Sequence, residues 1–309
     1  MSSKLSRKSL GRVPAVGRPT KSSLPALTSP AERLFDGLYV VYQPIVDIAR
    51  RRVFAYEALV RNPSFPSPMV LFETALGAGR CGELGREIRQ LAINGASGWP
   101  LFLNVHPQEF GEPWIVRPDD ALFAHDADVF LEITESVPLT HFQLVTPILR
   151  ELRGRSVRLV VDDLGAGYSN LRYISDLEPE VVKLDRGLIA GLHNDRRQRT
   201  LVGGIVRLCA DLGAKVVAEG IEEVDELACV MDCGVQLVQG YLIAKPATDL
   251  PGISDAAQMI MMMRSEPPPP ATKVSKAAPV ELARLRKSSP TVQTRRPSRS
   301  SLRPPKTER

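Results

Sequence analysis

The sequence predicts an α/β fold, a closed (β/α)8 barrel in which one strand runs antiparallel to its neighbours. Eight short runs rich in β-branched residues alternate with helix-like segments over about 230 residues. Such alternation is typical of parallel strands joined by right-handed helical crossovers. The first two runs are separated only by residues 49–52, which is too short for a parallel crossover. These two runs are therefore expected to form an antiparallel hairpin.

The elements follow one another in the order that a TIM-like barrel requires. The strand-like runs lie at 39–48, 53–60, 101–105, 129–134, 157–161, 181–184, 214–218 and 235–238. The helix-like segments lie at 70–99, 142–153, 169–175, a short turn near Leu188, 196–212, 224–233 and 254–263. An open doubly wound sheet is the alternative, but no glycine-rich dinucleotide motif follows the first strand.

Charge is distributed unevenly and divides the chain into three parts. Residues 1–34 carry a formal charge of about +6 and residues 264–309 about +9, which leaves the middle near −10. So acidic a middle is unsuited to binding nucleic acid by simple electrostatics. We expect disordered basic tails at 1–30 and 264–309 and one folded domain at 31–263. The tails are either inert or dock to a partner, and the sequence leaves that partner unknown.

Composition also bears on the compartment. The basic N-terminus lacks the apolar run of a secretory signal, and no stretch of the sequence is long enough to span a membrane. The four cysteines lack paired zinc-binding spacing, so reduced and buried thiols are expected. These features favour a cytoplasmic location.

Polar residues end seven consecutive strand-like runs or closely follow them. They are Glu57, Asn104, Glu132, Asp162 with Asp163, Lys183, Glu219 and Gln239. The C-terminal ends of parallel barrel strands all lie on one face, where barrel enzymes have their active sites. The reversed first strand would bring Gln43 to the same rim. Residues spread over almost two hundred positions are therefore expected to converge.

The chemistry of this set indicates a metal site. Five carboxylates in one place repel one another unless cations neutralise them, and oxygen ligands favour Mg²⁺ or Mn²⁺ over zinc. Two ions that share a carboxylate suit in-line displacement at phosphorus. Each motif taken alone has a simpler interpretation: Asp162-Asp163 is also typical of a helix cap, and a lone Lys183 of a solvated surface charge.

Eight motifs in one order resemble the signature of a known family. They are YQPIVD at 42–47, EALVR at 57–61, NV at 104–105, LEITES at 131–136, DDLGAGYS at 162–169, VKLD at 182–185, AEGIE at 218–222 and VQGY at 238–241. The family is that of the EAL domains, and the resemblance spans roughly residues 35–250. It implies hydrolysis of cyclic di-GMP to linear pGpG in a barrel with one antiparallel strand.

The resemblance implies a role for each matching residue. Glu57, Asn104, Glu132 and Asp162 would hold one divalent cation, and Asp162, Asp163 and Glu219 the second. Lys183 and Gln239 would position the water nucleophile, with Glu219 a candidate base. The substrate would be faced by Gln43, Leu59 and Arg61. Glu135 would tether the loop 164–170, which in the family couples metal occupancy to homodimerisation, and Glu222 would support the second-metal side.

Four residues depart from the family pattern. An aromatic is usual at Leu164, a hydroxyl is frequent at Ala166, and a Trp is frequent at Asn62. His106 replaces a typical Ser, and we expect it to pack at the rim rather than to bind metal. None of these changes removes a metal ligand. The alternative function is a non-hydrolysing cyclic di-GMP sensor or protein-interaction module, which would be expected to lack some of the acidic positions that this chain retains.

Overall fold

A computed structural model describes the protein over residues 29–112, 114–134, 139–166 and 171–264. The predicted basic tails fall almost entirely outside these residues, and so does Glu135. The boundaries of the tails and the role of Glu135 therefore stay predictions.

Eight strands in the described part of the chain close into a barrel in sequential order. They are β1 (Tyr39–Asp47), β2 (Arg52–Arg61), β3 (Leu101–Asn104), β4 (Val129–Thr134), β5 (Val157–Leu164), β6 (Val181–Leu184), β7 (Lys215–Ala218) and β8 (Leu237–Val238). Strand β1 pairs antiparallel with both β2 and β8, and every other pairing is parallel. The predicted barrel with one reversed strand is confirmed.

The β1–β2 hairpin sets which residues of β1 reach the rim at the C-terminal ends of the parallel strands. Arg51 adopts a left-handed backbone with φ of 53°, and its N–H donates to the Asp47 carbonyl at 2.7 Å, which closes a tight turn. From this turn the antiparallel register places Gln43 opposite Glu57. Residues early in β1 therefore lie beside residues late in β2, as the short connection predicted.

Eight helices surround the barrel within the described residues. They are α1 (Pro68–Gly77), α2 (Cys81–Gly95), α3 (Leu139–Gly154), α4 (Arg172–Leu177), α5 (Arg186–Ile189), α6 (Arg196–Asp211), α7 (Val224–Asp232) and α8 (Asp255–Met263). The prediction of one helix over 70–99 is wrong. Gly79 and Gly98 adopt φ of +65° and +77°, outside the helical region, so one break separates α1 from α2 and α2 ends before Gly98.

The barrel interior is filled by one apolar layer to which each strand contributes one buried residue. The eight are Ile45, Ala55, Phe102, Phe130, Val160, Val181, Val217 and Leu237. The rings of Phe102 and Phe130 stack at 4.4 Å between centroids. Half-buried Phe54 packs against this layer, with the Lys215 ammonium 4.9 Å from its ring centre. The interior is therefore a packed floor and not a pore.

Matched leucine truncations test this floor. Leu237 is fully buried in the interior layer, whereas Leu201 on α6 is 53% exposed. We expect Leu237→Ala to lower the free energy of unfolding by about 2–5 kcal/mol, because it leaves a cavity in a packed layer. Leu201→Ala should change it by less than about 0.5 kcal/mol. Denaturant titration of both variants measures the difference, and equal destabilisation would contradict this packing.

Candidate metal centre

A polar layer lies directly above the apolar floor and follows from the two-residue period of β-strands. Side chains two residues apart on a strand point to the same face. Each strand places a polar residue two positions from its floor residue, towards the rim. The eight are Gln43, Glu57, Asn104, Glu132, Asp162, Lys183, Glu219 and Gln239. The structure thus brings together the residues that the sequence predicted to converge.

Lys183 lies at the centre of this layer and is 1% exposed. Its Nζ lies 2.5 Å from Glu132, 2.8 Å from Glu219, 3.1 Å from Asp162 and 3.5 Å from Glu57. Burial by itself lowers the pKa of this ammonium, but the four carboxylates raise it well above its ordinary value. Lys183 therefore stays charged and holds the acidic residues together.

A chain of amides fixes Glu57. Asn104 Nδ2 donates to Glu57 Oε1 at 3.1 Å, and Gln239 Nε2 donates to Glu57 Oε2 at 2.6 Å. Gln239 Nε2 also lies 3.1 Å from Gln43 Oε1, and Gln43 Nε2 donates to the Ala244 carbonyl at 3.0 Å. Burial alone would raise the pKa of Glu57, but Lys183 and these two donors lower it below its ordinary value. Glu57 is therefore an ionised carboxylate with a fixed orientation.

The other carboxyl groups hold protons more tightly than usual. Burial, followed by repulsion from Glu57, raises the pKa of Glu132 well above its ordinary value. Burial also raises the pKa of Asp163 to about 6 and that of half-buried Glu219 to about 8, with Asp162 adding to both. One ammonium does not neutralise five carboxyl groups. The cluster has to bind protons or further cations.

Several oxygens of this layer are suited to a hard cation. Both carboxylate oxygens of Glu132, Oδ1 of Asp162 and Oε1 of Gln239 are buried and accept no hydrogen bond from a described residue. Two of these oxygens, Glu132 Oε1 and Asp162 Oδ1, form ion pairs with Lys183 Nζ at 2.5 Å and 3.1 Å, whereas Glu132 Oε2 and Gln239 Oε1 have no such partner among the described residues. Carboxylate oxygens of Asp162, Asp163 and Glu219 also lie within 4.8 Å of one another. Oxygen donors of this kind fit Mg²⁺ or Mn²⁺.

Asp163 joins the cluster only because β5 is irregular. Strict alternation would turn its side chain away from the face used by Asp162. Asp163 instead has a left-handed backbone with φ of 59°, at a register shift between Val161 and Leu164 in the pairing with β6. Such bulges redirect side chains next to functional sites. The predicted strand end at residue 161 missed this extension.

Comparison with known proteins agrees with this geometry. The model of the EAL domain family matches residues 32–246. This is most of the part of the chain that the structure describes. The chain belongs to the EAL family.

Some relatives of this EAL chain have names that include cyclic di-GMP phosphodiesterase. It is 31% identical to cyclic di-GMP phosphodiesterase NbdA of Pseudomonas aeruginosa, over 68% of this chain and 29% of that protein. It is also 31% identical to probable cyclic di-GMP phosphodiesterase PdeI of Escherichia coli, over 68% and 29% of the two chains. The chain thus spans about a third of the length of the curated relatives it matches.

Solved structures of EAL proteins show the same fold. Klebsiella pneumoniae BlrP1, in a calcium and cyclic di-GMP complex, matches with a TM-score of 0.64 and 30% identity over 71% of this chain and 58% of that one. A standalone EAL protein of Vibrio cholerae, in a cyclic di-GMP bound form, matches with a TM-score of 0.62 and 28% identity over 70% and 95%.

Two residues that were predicted to contact the substrate line a cavity beside the acidic cluster of this EAL domain. Leu59 and Arg61 line a space of about 690 Å³ together with Glu57, Asn104 and Asp163. Arg61 Nη1 donates to the Val60 carbonyl at 2.8 Å, which holds one end of the guanidinium. Gln43 does not line this cavity and lies in the polar layer. Charged and apolar side chains therefore lie together in the cavity next to the acidic cluster.

Glu222 lies outside the cluster, and the reason involves a residue that the sequence reasoning missed. Arg186 Nη2 donates to Glu222 Oε2 at 2.9 Å, and its Nη1 donates to the Gly220 carbonyl. Gly220 has φ of +64°, and a Cβ there would lie 2.8 Å from Arg186 Cβ. The glycine after Glu219 was the available signal, because it indicates a close approach.

The departures from the family pattern have local explanations. Asn62 is buried, donates to the Leu34 carbonyl at 3.0 Å and accepts from the Ser64 N–H at 2.8 Å, so it ties the end of β2 to the segment before β1. Leu164 is buried at the end of β5. His106 stacks on Phe72, as its expected packing role requires. No helix among the described ranges is both long and apolar enough to cross a bilayer.

The raised pKa of Glu219 predicts a pH-dependent stability. Its folded value of about 8 exceeds the ordinary 4.5, so between these pH values the folded state holds a proton that the unfolded state has lost. The Glu219 carboxyl group therefore does not lower the free energy of unfolding below pH 4.5, and it lowers it most above about pH 8. We expect Glu219→Gln to flatten the fall in Tm of the metal-free protein between about pH 5.5 and about pH 8.5, by a few degrees.

Exposed Glu87 on α2 provides the matched control. Glu87→Gln should leave the dependence of Tm on pH as in the unaltered protein, because Glu87 is exposed and lies outside the buried acidic cluster. Thermal denaturation of all three proteins with chelator present makes the comparison. Equal slopes for the Glu219→Gln variant and the unaltered protein would contradict the described electrostatics.

Proposed function

We propose that this chain is a metal-dependent phosphodiesterase that hydrolyses cyclic di-GMP to linear pGpG. The observation that carries the proposal is the largely buried polar layer next to a cavity, in which four carboxylates contact the single ammonium of Lys183 and Glu132 Oε2 accepts no hydrogen bond from a described residue. The names of the relatives NbdA and PdeI support the same activity. A cluster of this kind is costly to bury unless it binds cations, so stability alone does not explain it.

Two divalent cations, Mg²⁺ or Mn²⁺, would divide the acidic residues between them. Glu57, Asn104, Glu132 and Asp162 would hold one ion, and Asp162, Asp163 and Glu219 the other. Support for the second set is the proximity of its three carboxylates, whose oxygens lie within 4.8 Å of one another. When bound, such ions activate water and neutralise phosphate charge. A structure of BlrP1 with manganese and cyclic di-GMP is consistent with this chemistry.

The chain's own groups supply the remaining chemistry. Lys183 is a permanent cation whose charge opposes that of the phosphate oxygens. Gln239 donates both of its described hydrogen bonds through Nε2 and keeps a buried Oε1 with no donor among the described residues, which can accept a hydrogen bond from a water molecule and so position it. Glu219 has a raised pKa of about 8 and a partly exposed side chain, and its carboxylate form would be the candidate base for the attacking water.

Substrate binding is assigned to the rim and its cavity. Arg61 brings a fixed guanidinium to the cavity, where it can pair with a phosphate oxygen, and Leu59 gives an apolar contact. Gln43 accepts a hydrogen bond from Gln239 and so orients it, and a contact of Gln43 with the substrate would come from the polar layer and not from the cavity wall. Glu222 acts on the Glu219 side through Arg186. Tethering of the loop 164–170 by Glu135, and homodimerisation through it, stay predictions.

Removal of single metal ligands tests the two-ion assignment. Glu57→Ala and Asp162→Asn should each lower turnover of cyclic di-GMP by more than about 100-fold, because ligand loss exceeds the effect of losing a supporting partner. Both variants should fold, since rim carboxylates contribute little to packing and repel one another. The readouts are pGpG formation with saturating Mg²⁺ and a thermal melt.

Exposed Asp211 at the end of α6 gives the matched control, and Asp211→Asn should keep full turnover. Retained activity in either ligand variant would contradict the assignment. The alternative function, a non-hydrolysing sensor or interaction module, predicts that the unaltered protein binds cyclic di-GMP but forms no pGpG. The same assay therefore separates the two functions.

Calcium should inhibit the reaction. Ca²⁺ accepts the same oxygen ligands as Mg²⁺ but at longer distances and with looser geometry, so it fits the site while activating water less. BlrP1 has been solved with calcium and cyclic di-GMP together. We expect pGpG formation at fixed Mg²⁺ to fall as Ca²⁺ is added and to recover with excess Mg²⁺. Hydrolysis that persists in a large excess of Ca²⁺ would count against the metal mechanism.

A further inference from the structure

The loop after β3 is held by a buried ion network. Arg89 on α2 pairs with Glu109 at 2.5 Å and with Asp120 at 2.9 Å, and all three side chains are at most 1% exposed. The other oxygen of Glu109, Oε1, accepts the backbone N–H of His106 at 3.0 Å. Removing one partner from such a network leaves an uncompensated buried charge, so the arrangement is rigid. The network therefore fixes the backbone at His106.

Helix α2, which carries Arg89, also leaves room for this network at Gly85. A Cβ on Gly85 of α2 would lie 2.0 Å from Glu109 Oε2, so only glycine leaves room for the carboxylate. Burying the charged groups of this network costs free energy, and the carboxylate of Glu109 fits only because residue 85 has no side chain. The network anchors the loop that begins two residues beyond Asn104.

The imidazole of His106 has one defined tautomer. Its Nδ1 accepts the backbone N–H of Gln108 at 3.2 Å, so the ring proton of the neutral imidazole lies on Nε2. The ring stacks on Phe72 of α1 with centroids 5.5 Å apart and planes 15° apart. No described residue bonds to Nε2. His106 therefore presents a fixed N–H donor on a ring that lines the cavity.

The part of the cavity beside His106 is lined by an apolar stripe of helix α1. Met69, Phe72 and Leu76 occupy positions three and four residues apart on α1, so they form one stripe, and all three line the cavity. Met69 is 69% exposed and Leu76 37% exposed, although both are large apolar residues. The volume of about 690 Å³ is far more than metal ions need and is typical of small-molecule pockets.

A flat base with acceptors on its edge matches these walls. Its faces would contact the apolar stripe, and its edge would meet the N–H of His106. Guanine carries two adjacent acceptors, N7 and O6. We propose that His106 determines specificity by donating its Nε2–H to this edge of one guanine of cyclic di-GMP, with Met69 and Leu76 against the base. The inference rests on the proposed function and deepens it.

Two variants test the donor. His106→Phe keeps a ring that can stack on Phe72 and removes the N–H, whereas His106→Asn keeps an acceptor for the Gln108 N–H and removes the ring. Both should raise KM for cyclic di-GMP about tenfold, the effect of one lost hydrogen bond, with a smaller change in kcat. Gln108→Ala is the matched control, because only the backbone of this exposed residue takes part.

A diester without a base separates recognition of guanine from recognition of phosphate. Turnover of bis(4-nitrophenyl) phosphate with Mn²⁺ should fall about tenfold less in the His106 variants than turnover of cyclic di-GMP. Equal losses on the two substrates would place His106 at the phosphate or in support of the metal site and would overturn the proposal. An unchanged KM for cyclic di-GMP would overturn it too.

Binding measurements keep this test independent of catalysis. Calorimetry with cyclic di-GMP and Ca²⁺-loaded protein should show a Kd about tenfold weaker in each variant, with Tm measured as a check on folding. If the unaltered protein binds cyclic di-GMP without forming pGpG, the proposed function fails, and the ratio of Kd values still decides the role of His106. Equal Kd values in the variants and the unaltered protein would refute that role.

Discussion

The charge balance around Lys183 is the constraint on which the rest of the site depends. One buried ammonium contacts four carboxylates, and a fifth, Asp163, lies beside them. In a medium of low polarity, unlike charges attract strongly and like charges repel strongly. The ammonium gathers the acidic residues but does not neutralise them, and Glu132 Oε2 accepts no hydrogen bond from a described residue. The acidic cluster is thus held together by residues of the chain itself.

The barrel makes this balance possible because it separates packing from chemistry within each strand. One residue per strand fills the apolar floor, and the residue two positions towards the rim belongs to the polar layer. The floor consists of eight buried apolar residues that lie directly beneath the polar layer. A mutation in the floor would therefore act on the site indirectly, through the spacing of the strands. The apolar floor, which stabilises the barrel, and the polar layer, which forms the candidate site, are thus adjacent layers of the same eight strands.

The surrounding helices control access to the polar layer. Helix α1 contributes the apolar wall of the cavity, and α2 holds the loop after β3 through the Arg89 network. The break at Gly79 lets these two helices take separate directions, which a single continuous helix would not allow. Arg186 performs a comparable task on the other side by clamping the turn after Glu219. The acidic cluster is formed by the strand ends, while the position of its surroundings depends on these contacts between elements.

The sequence by itself determined the barrel, its reversed strand and the polar residues of the rim. Hydrophobic alternation and connection length are local properties, and strand ends on one face of a barrel must converge. Only the tertiary structure decided how Asp163 reaches the cluster, because a bulge overrides the alternation from which its direction would be inferred. The break between α1 and α2, the pairing of Arg186 with Glu222 and the Arg89 network were likewise not predictable. The two ion pairings join residues that are distant in the chain, and the helix break depends on a backbone dihedral angle. Such features leave no periodic signal in the sequence.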